Sequence, residues 1–249
     1  MRFLPVFKYR MRDCINSALI IIAVMIALSL LVQFGIMSFG SYVTNENGHV
    51  ETASTMNYTL PYVIFMFVLG IVTVREDVRV GIQNGASRNT SFLANVAAMV
   101  VTSLILSVSS ILLYTVWNAL DTGVVMIDFY AMMFLGNNLI TTAGNMLMSA
   151  VMTFLFSLSF AAIGSFLSLM YWRLNKIGKW VVSLGIGAAF ILLINVGASV
   201  AGVGAAIARF CSFIVSAPWH MNGFFAVLAV AFFVFGRLLV RRNNITAAA

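Results

Sequence analysis

The chain has 249 residues, 62% of them apolar and only 8% charged, with 14 Lys+Arg against 7 Asp+Glu for a net charge of +7. A soluble domain averages about half apolar and about a quarter charged, so this composition excludes a soluble globule and, by its hydrophobicity, a disordered chain. Fourteen cations scattered between long uncharged runs cannot build a phosphate-binding face, which excludes a nucleic-acid partner.

Apolar runs of 17 to 26 residues suit helices that cross ~30 Å of hydrocarbon with roughly 20 residues each. They do not suit the alternating strands of a membrane barrel. Backbone polar groups in lipid must be satisfied within the segment, so the expected fold class is an all-α membrane protein. Six transmembrane helices are expected in a single transmembrane domain, 1–249, at about 15–37, 58–74, 92–117, 138–171, 180–197 and 222–240.

The first dozen residues place Phe3, Leu4, Phe7 and Met11 at near-helical spacing, with Arg2, Lys8 and Arg12 mostly elsewhere. Pro5 falls in the first turn and Arg10 interrupts the apolar face. The preferred reading is an N-terminal amphipathic helix on the inner membrane surface; a frayed basic tail is the alternative. The apolar run that follows exceeds the ~7–15 residues of a signal-peptide core, so cleavage is not expected.

Between the second and third spans lies Arg75-Glu76-Asp77-Val78-Arg79-Val80-Gly81-Ile82-Gln83-Asn84-Gly85-Ala86-Ser87-Arg88-Asn89-Thr90. It reads as a short helix with a stop. Glu76 and Asp77 suit an opening turn, where acids complement the helix dipole. Asn84-Gly85 is a terminating pair, with Gly85 free to take the left-handed cap conformation, and Ser87 suits the cap of the third span. Gly81 either permits close approach to a neighbour or breaks the helix early.

Residues 126–137 read as an interfacial helix with Tyr130, Met132, Met133 and Phe134 on its greasy side. The fourth span carries a polar stripe, Asn138, Thr142, Asn145, Ser149, Thr153 and Ser157, at steps of three and four that hold one helical face. Such a face packs on a neighbouring helix or lines a pathway, and both readings stay open. Gln33 and Asn195 are weaker pathway candidates. Residues 197–217, rich in Gly and Ala, read as a re-entrant or interfacial element before the last span.

Cations orient the spans. Arg2, Lys8, Arg10, Arg12, Arg75, Arg79, Arg88, Arg173, Lys176, Lys179, Arg237, Arg241 and Arg242 fall on one face if both termini are cytoplasmic, leaving only Arg209 outside with Glu46, Glu51, Asp121 and Asp128. Cys14 and Cys211 then lie near opposite faces and cannot pair. The single Gly178-Lys179 is followed by Trp180 and lacks the upstream glycine of a nucleotide-binding loop. His49 and His220 are too few for a histidine metal site, and no catalytic constellation is visible. No carboxylate lies within a span, which disfavours an ion-coupled relay.

The run Arg75-Glu76-Asp77, five residues, then Gln83-Asn84-Gly85-Ala86-Ser87-Arg88 resembles the corresponding loop of bacterial ABC-2-type permeases, the membrane subunits of ATP-binding-cassette exporters. The layout of the whole chain is similar too; the residue-level resemblance covers Arg75 to Asn89. It implies a permease that is not itself an enzyme, with ATP and Mg bound by separate ABC ATPase subunits. It also implies a cytosolic coupling helix between spans two and three. Arg75, Glu76, Asp77, Arg79, Gln83, Asn84 and Arg88 would contact the ATPase. Further implied partners are a second permease subunit, identical or homologous, and membrane lipids, in a bacterial cell membrane. The cargo class would be a peptide, antimicrobial, lipid or drug, moved outward. A membrane scaffold or sensor, or a passive homo-oligomeric channel, are the competing readings.

Overall fold

The computed structural model describes residues 3–34, 36, 40–44, 50–120, 124–126, 128–135, 142–185, 188 and 201–242. In chain order come α1 (Phe3–Gln33), β1 (Gly40–Thr44), β2 (Val50–Met56), α2 (Thr59–Gln83), α3 (Arg88–Ala119), β3 (Val124–Met126), α4 (Phe129–Phe134) and α5 (Ala143–Arg173). Then follow α6, helical over 176–185, and the helices α7 (Ala201–Val215) and α8 (Pro218–Arg242). Among the described residues four stretches are long and apolar enough to cross a membrane: Leu4–Gln33, Arg88–Trp117, Ala143–Arg173 and Pro218–Val240. At about 1.5 Å per residue, the 31 or 32 residues of α1, α3 and α5 exceed ~30 Å of hydrocarbon.

Helix α5 occupies the centre, packed against α2, α3, α4 and α8, while α1 lies on α3. Its apolar residues lie on several sides rather than in one stripe, as a helix with neighbours on several sides requires. The α2–α5 crossing is a backbone contact. A Cβ on Gly70 would sit 2.4 Å from the Ala161 carbonyl oxygen, and one on Gly164 would sit 2.4 Å from that of Phe67. Each glycine makes room for the other helix.

Several expectations change. The N-terminal segment is not a separate surface helix: α1 runs unbroken from Phe3, because no breaker follows Pro5 in its first turn. The segment after the second span is likewise no separate helix. α2 continues through Arg75 to Gln83, so Glu76 and Asp77 lie mid-helix rather than in an opening turn. Of the interfacial stretch 126–137, helix covers Phe129–Phe134; Tyr130 is buried, whereas Met132 and Met133 are exposed. The helix of the fourth span begins at Ala143, and α8 begins at Pro218 rather than 222. Proline suits that first position because its missing N–H is one the helix would leave unbonded.

A small three-stranded sheet joins the ends of α1, α2 and α3, with β1 antiparallel to β2 and β2 parallel to β3. Asn57 Oδ1 then starts α2 by accepting from the N–H groups of Thr59 (2.8 Å) and Leu60 (3.3 Å). Most of the fifth expected span, and with it Asn195, lies outside the described residues; so do Asn138, His49 and residues 197–200.

The crossing predicts a sharp size threshold. Gly164→Leu should lower the thermal midpoint of the detergent-solubilised protein by several degrees, since overpacking costs about 1–3 kcal/mol. Gly223→Ala, where nothing lies within 4 Å of the added Cβ, should leave it unchanged. Equal midpoints for the two variants would remove the crossing from the account.

Candidate functional site

The corner between α2 and α3 is built from local chemistry. Asn84 ends α2, and Gly85 takes φ +74°, a conformation that costs glycine nothing. The Ala86 N–H donates to the Gly81 carbonyl at 2.8 Å and the Gly85 N–H to that of Ile82 at 3.0 Å. These are the paired bonds of a Schellman stop. Asn84 Nδ2 adds a bond to the Val80 carbonyl at 2.9 Å. Ser87 caps α3, its Oγ accepting from the Thr90 N–H at 3.2 Å. Gly81 does not break the helix; its added Cβ would fall 2.1 Å from Ser91 Oγ, so α2 and α3 touch there. The corner is a tight, fully capped hairpin.

Asp77 is turned onto α1, where it meets Arg10. Arg10 Nε lies 2.7 Å from Asp77 Oδ2 and donates to Asn95 Oδ1 at 3.3 Å, tying α1 to α2 and α3. The two side chains of the ion pair are 9% and 12% exposed. Burial pushes the Asp77 carboxyl from 3.8 up to about 6; Arg10 offsets part of that rise, while Asp13 and Glu76 add to it. Desolvation therefore outweighs the attraction, as is common for buried pairs. The pair fixes which surfaces meet more than it stabilises them.

The remaining coupling candidates are arrayed along one end of α2. Arg75 stands 5.8 Å over the Trp172 ring. Arg75, Glu76 and Arg79 line a groove of about 810 Å³ with Tyr171, Trp172 and Lys179. Gln83 and Asn84 are exposed at the tip, and Arg88 opens α3. The structure thus separates Asp77, a tether, from Glu76, Arg79, Gln83 and Asn84, which face outward.

At the opposite end of α2 the polar stripe finds its partners. Asp128, which precedes α4 and is 8% exposed, accepts from the hydroxyls of Thr59 on α2 and Ser149 on α5. Thr59 and Thr153 hydroxyls lie 3.4 Å apart. Tyr130 donates to Asn145 at 3.4 Å, and Ser157 returns its proton to the Phe154 carbonyl at 3.0 Å. Thr142 is exposed and Gln33 half-buried at the end of α1. Ser149 and Thr153 thus meet α4 and α2 through hydrogen bonds, while Ser157 bonds back to its own helix.

Sequence reasoning missed Arg10, Asn95, Thr59 and Asp128 as a set. One signal was present: Arg10 breaks an otherwise apolar face. Among the described residues no group of three His, Cys, Asp or Glu could hold a metal, and Cys14 and Cys211 are free, one buried and one exposed.

No known protein family, curated protein or solved structure matches the chain. The site must be read on its own geometry.

Two outcomes follow. A carboxyl raised in the folded state supplies stability that is fully present below pH 3.8 and is lost as pH rises through about 6. Asp77→Asn should therefore flatten the thermal midpoint between pH 4 and pH 7 and match or exceed the native protein at pH 7.5. Arg10→Ala should lower it at pH 7.5, because it strands the carboxylate. A midpoint for Asp77→Asn that still falls across that window would contradict the assignment. At the other end, Asp128→Ala should cost about 1–3 kcal/mol by leaving two buried hydroxyls without their acceptor. Asp128→Asn, which keeps an acceptor oxygen, should cost less in the same melting assay.

Proposed function

We propose that the chain is the membrane permease subunit of a bacterial ABC-2-type exporter, working with a second permease subunit and separate ATPase subunits that hold ATP and Mg. The observation that carries this reading is the capped α2–α3 corner, a rigid tip presenting Glu76, Arg79, Gln83 and Asn84 outward. Short charged tips of this kind suit directional, charge-assisted contacts to a partner. Because α2 continues unbroken from the corner to Thr59, the docking element here is the end of a bundle helix rather than a separate lever.

Six crossings with both termini inside fit the cation distribution. In that arrangement α1, α2, α3, α5 and α8 supply five, and the sixth falls on 180–197. The 15 residues of α7 are fewer than the roughly 20 needed to cross, which supports a re-entrant or interfacial placement before α8. A passive homo-oligomeric channel would have no use for such a docking tip. The cargo in this reading is an amphipathic or hydrophobic compound moved outward.

Affinity purification of the tagged full chain from its host membranes in mild detergent tests the proposal. A nucleotide-hydrolysing subunit should be retained in stoichiometric amount. Glu76→Ala/Arg79→Ala should reduce it by about tenfold or more, since each hydrogen bond to a charged group is worth about 1.5–3 kcal/mol. Asp77→Asn should retain it. A chain that purifies without any such subunit sinks the reading.

A further inference from the structure

The groove between α2, α5 and α6 has two chemically distinct parts. Its mouth carries Arg75, Arg79 and Lys179, with Glu76 as the one carboxylate in the lining, and its wall is Ile71, Val72 and Leu167. The apolar wall continues along α2 through Val68 and Ile64, both exposed. The Arg75 guanidinium lies 5.8 Å over the Trp172 ring, a cation–π contact that uses the ring face and not the N–H donors an oxyanion would take. The Tyr171 and Ser183 hydroxyls, 2.5 Å apart, tie α5 to α6 and so bring Lys179 to the same mouth. A space of about 810 Å³ lies within the roughly 300–1,000 Å³ of ordinary ligand sites.

The groove also sits at a definite level. Tyr171, Trp172 and Arg173 form the last turn of α5, one of the helices long and apolar enough to cross a membrane. Aromatic residues at such an end lie among lipid headgroups. Basic pockets between helices at this depth suit anionic headgroups.

We infer that this groove binds an anionic phospholipid. Arg75, Arg79 and Lys179 hold the phosphate, and an acyl chain lies along Ile71, Val72 and Leu167. Three cations against one carboxylate favour an anionic over a zwitterionic headgroup. A free phosphate would satisfy the mouth but leave the apolar wall unused. The inference needs only the membrane setting and stands independently of the transporter reading.

Native mass spectrometry of the full-length protein in mild detergent, with equal phosphatidylglycerol and phosphatidylcholine added, tests it. Phosphatidylglycerol should be retained in preference. Each cation near the headgroup contributes about fivefold, so Lys179→Ala, at an exposed position, should lower retention about fivefold. Arg75→Ala/Lys179→Ala should lower it about 25-fold, and Lys179→Arg should keep it. Glu76→Ala, which the ATPase test expects to impair docking, should keep or raise lipid retention, so the two readings fail separately. Equal retention of the two lipids by the native protein would overturn the inference. Unchanged phosphatidylglycerol in the double variant would do the same, as would its displacement by millimolar inorganic phosphate alone.

Discussion

The reciprocal glycine contact between α2 and α5 is the constraint on which the rest of the bundle depends. Lipid tails are as apolar as leucine, so no hydrophobic force drives helices together inside a membrane; close packing and interhelical hydrogen bonds must do so. Gly70 and Gly164 bring each backbone against a carbonyl oxygen of the other helix. That fixes the spacing of α2 from the central helix. A single methyl group at either position would wedge the two apart.

Pins at either end of α2 then fix its direction. Thr59 is held by Asp128, about 16 Å from the crossing at 1.5 Å per residue. Asp77, about 10 Å beyond the crossing on the other side, is held by Arg10. One turn further, Gly81 rests on Ser91 of α3. A helix restrained at both ends and in the middle, with no interruption between Thr59 and Gln83, carries a load from its tip as a rod. The corner at 84–87 is thus joined to α3 through Gly81 and Ser91 and, along α2, to α5 at the glycine crossing. In a coupling device that property matters more than the identity of any one surface residue.

What was legible in the sequence was the chemistry that acts over a few residues. The Asn84-Gly85 stop and the Ser87 cap follow from local hydrogen bonding and the left-handed preference of glycine, and both appear as expected. The periodicity of Ser149, Thr153 and Ser157 correctly marks one face of one helix. Its partner, Asp128, could not be read, because the contact depends on how α4 and α2 converge. Arg10 was visible only as a blemish on an apolar face; its explanation lies at Asp77 on another helix. The start of a coupling helix at Arg75 was misplaced for a physical reason. Acidic residues after a basic one mimic a first turn, yet without a breaker between Val74 and Arg75 the helix continues through them. The strands at 40–44, 50–56 and 124–126 are short, and the parallel pair joins segments separated by all of α2 and α3. No local pattern announces that pairing.

Two acids are drawn into the packing of the bundle. Asp128 is turned into the junction of α2, α4 and α5, and Asp77 is turned onto Arg10. Asp77, held by Arg10, is not free to offset the basic surface at the Arg173 end of α5. Glu76 is the one carboxylate lining the groove there, against Arg75, Arg79 and Lys179. Positive charge remains at that end because Asp77, the acid beside Glu76, has been drawn into packing. A surface with that imbalance, flanked by Tyr171 and Trp172 at the level where hydrocarbon gives way to headgroups, attracts anions from the bilayer itself before any soluble partner arrives. The packing that holds α2 in place is thus also what leaves its outer cations unneutralised.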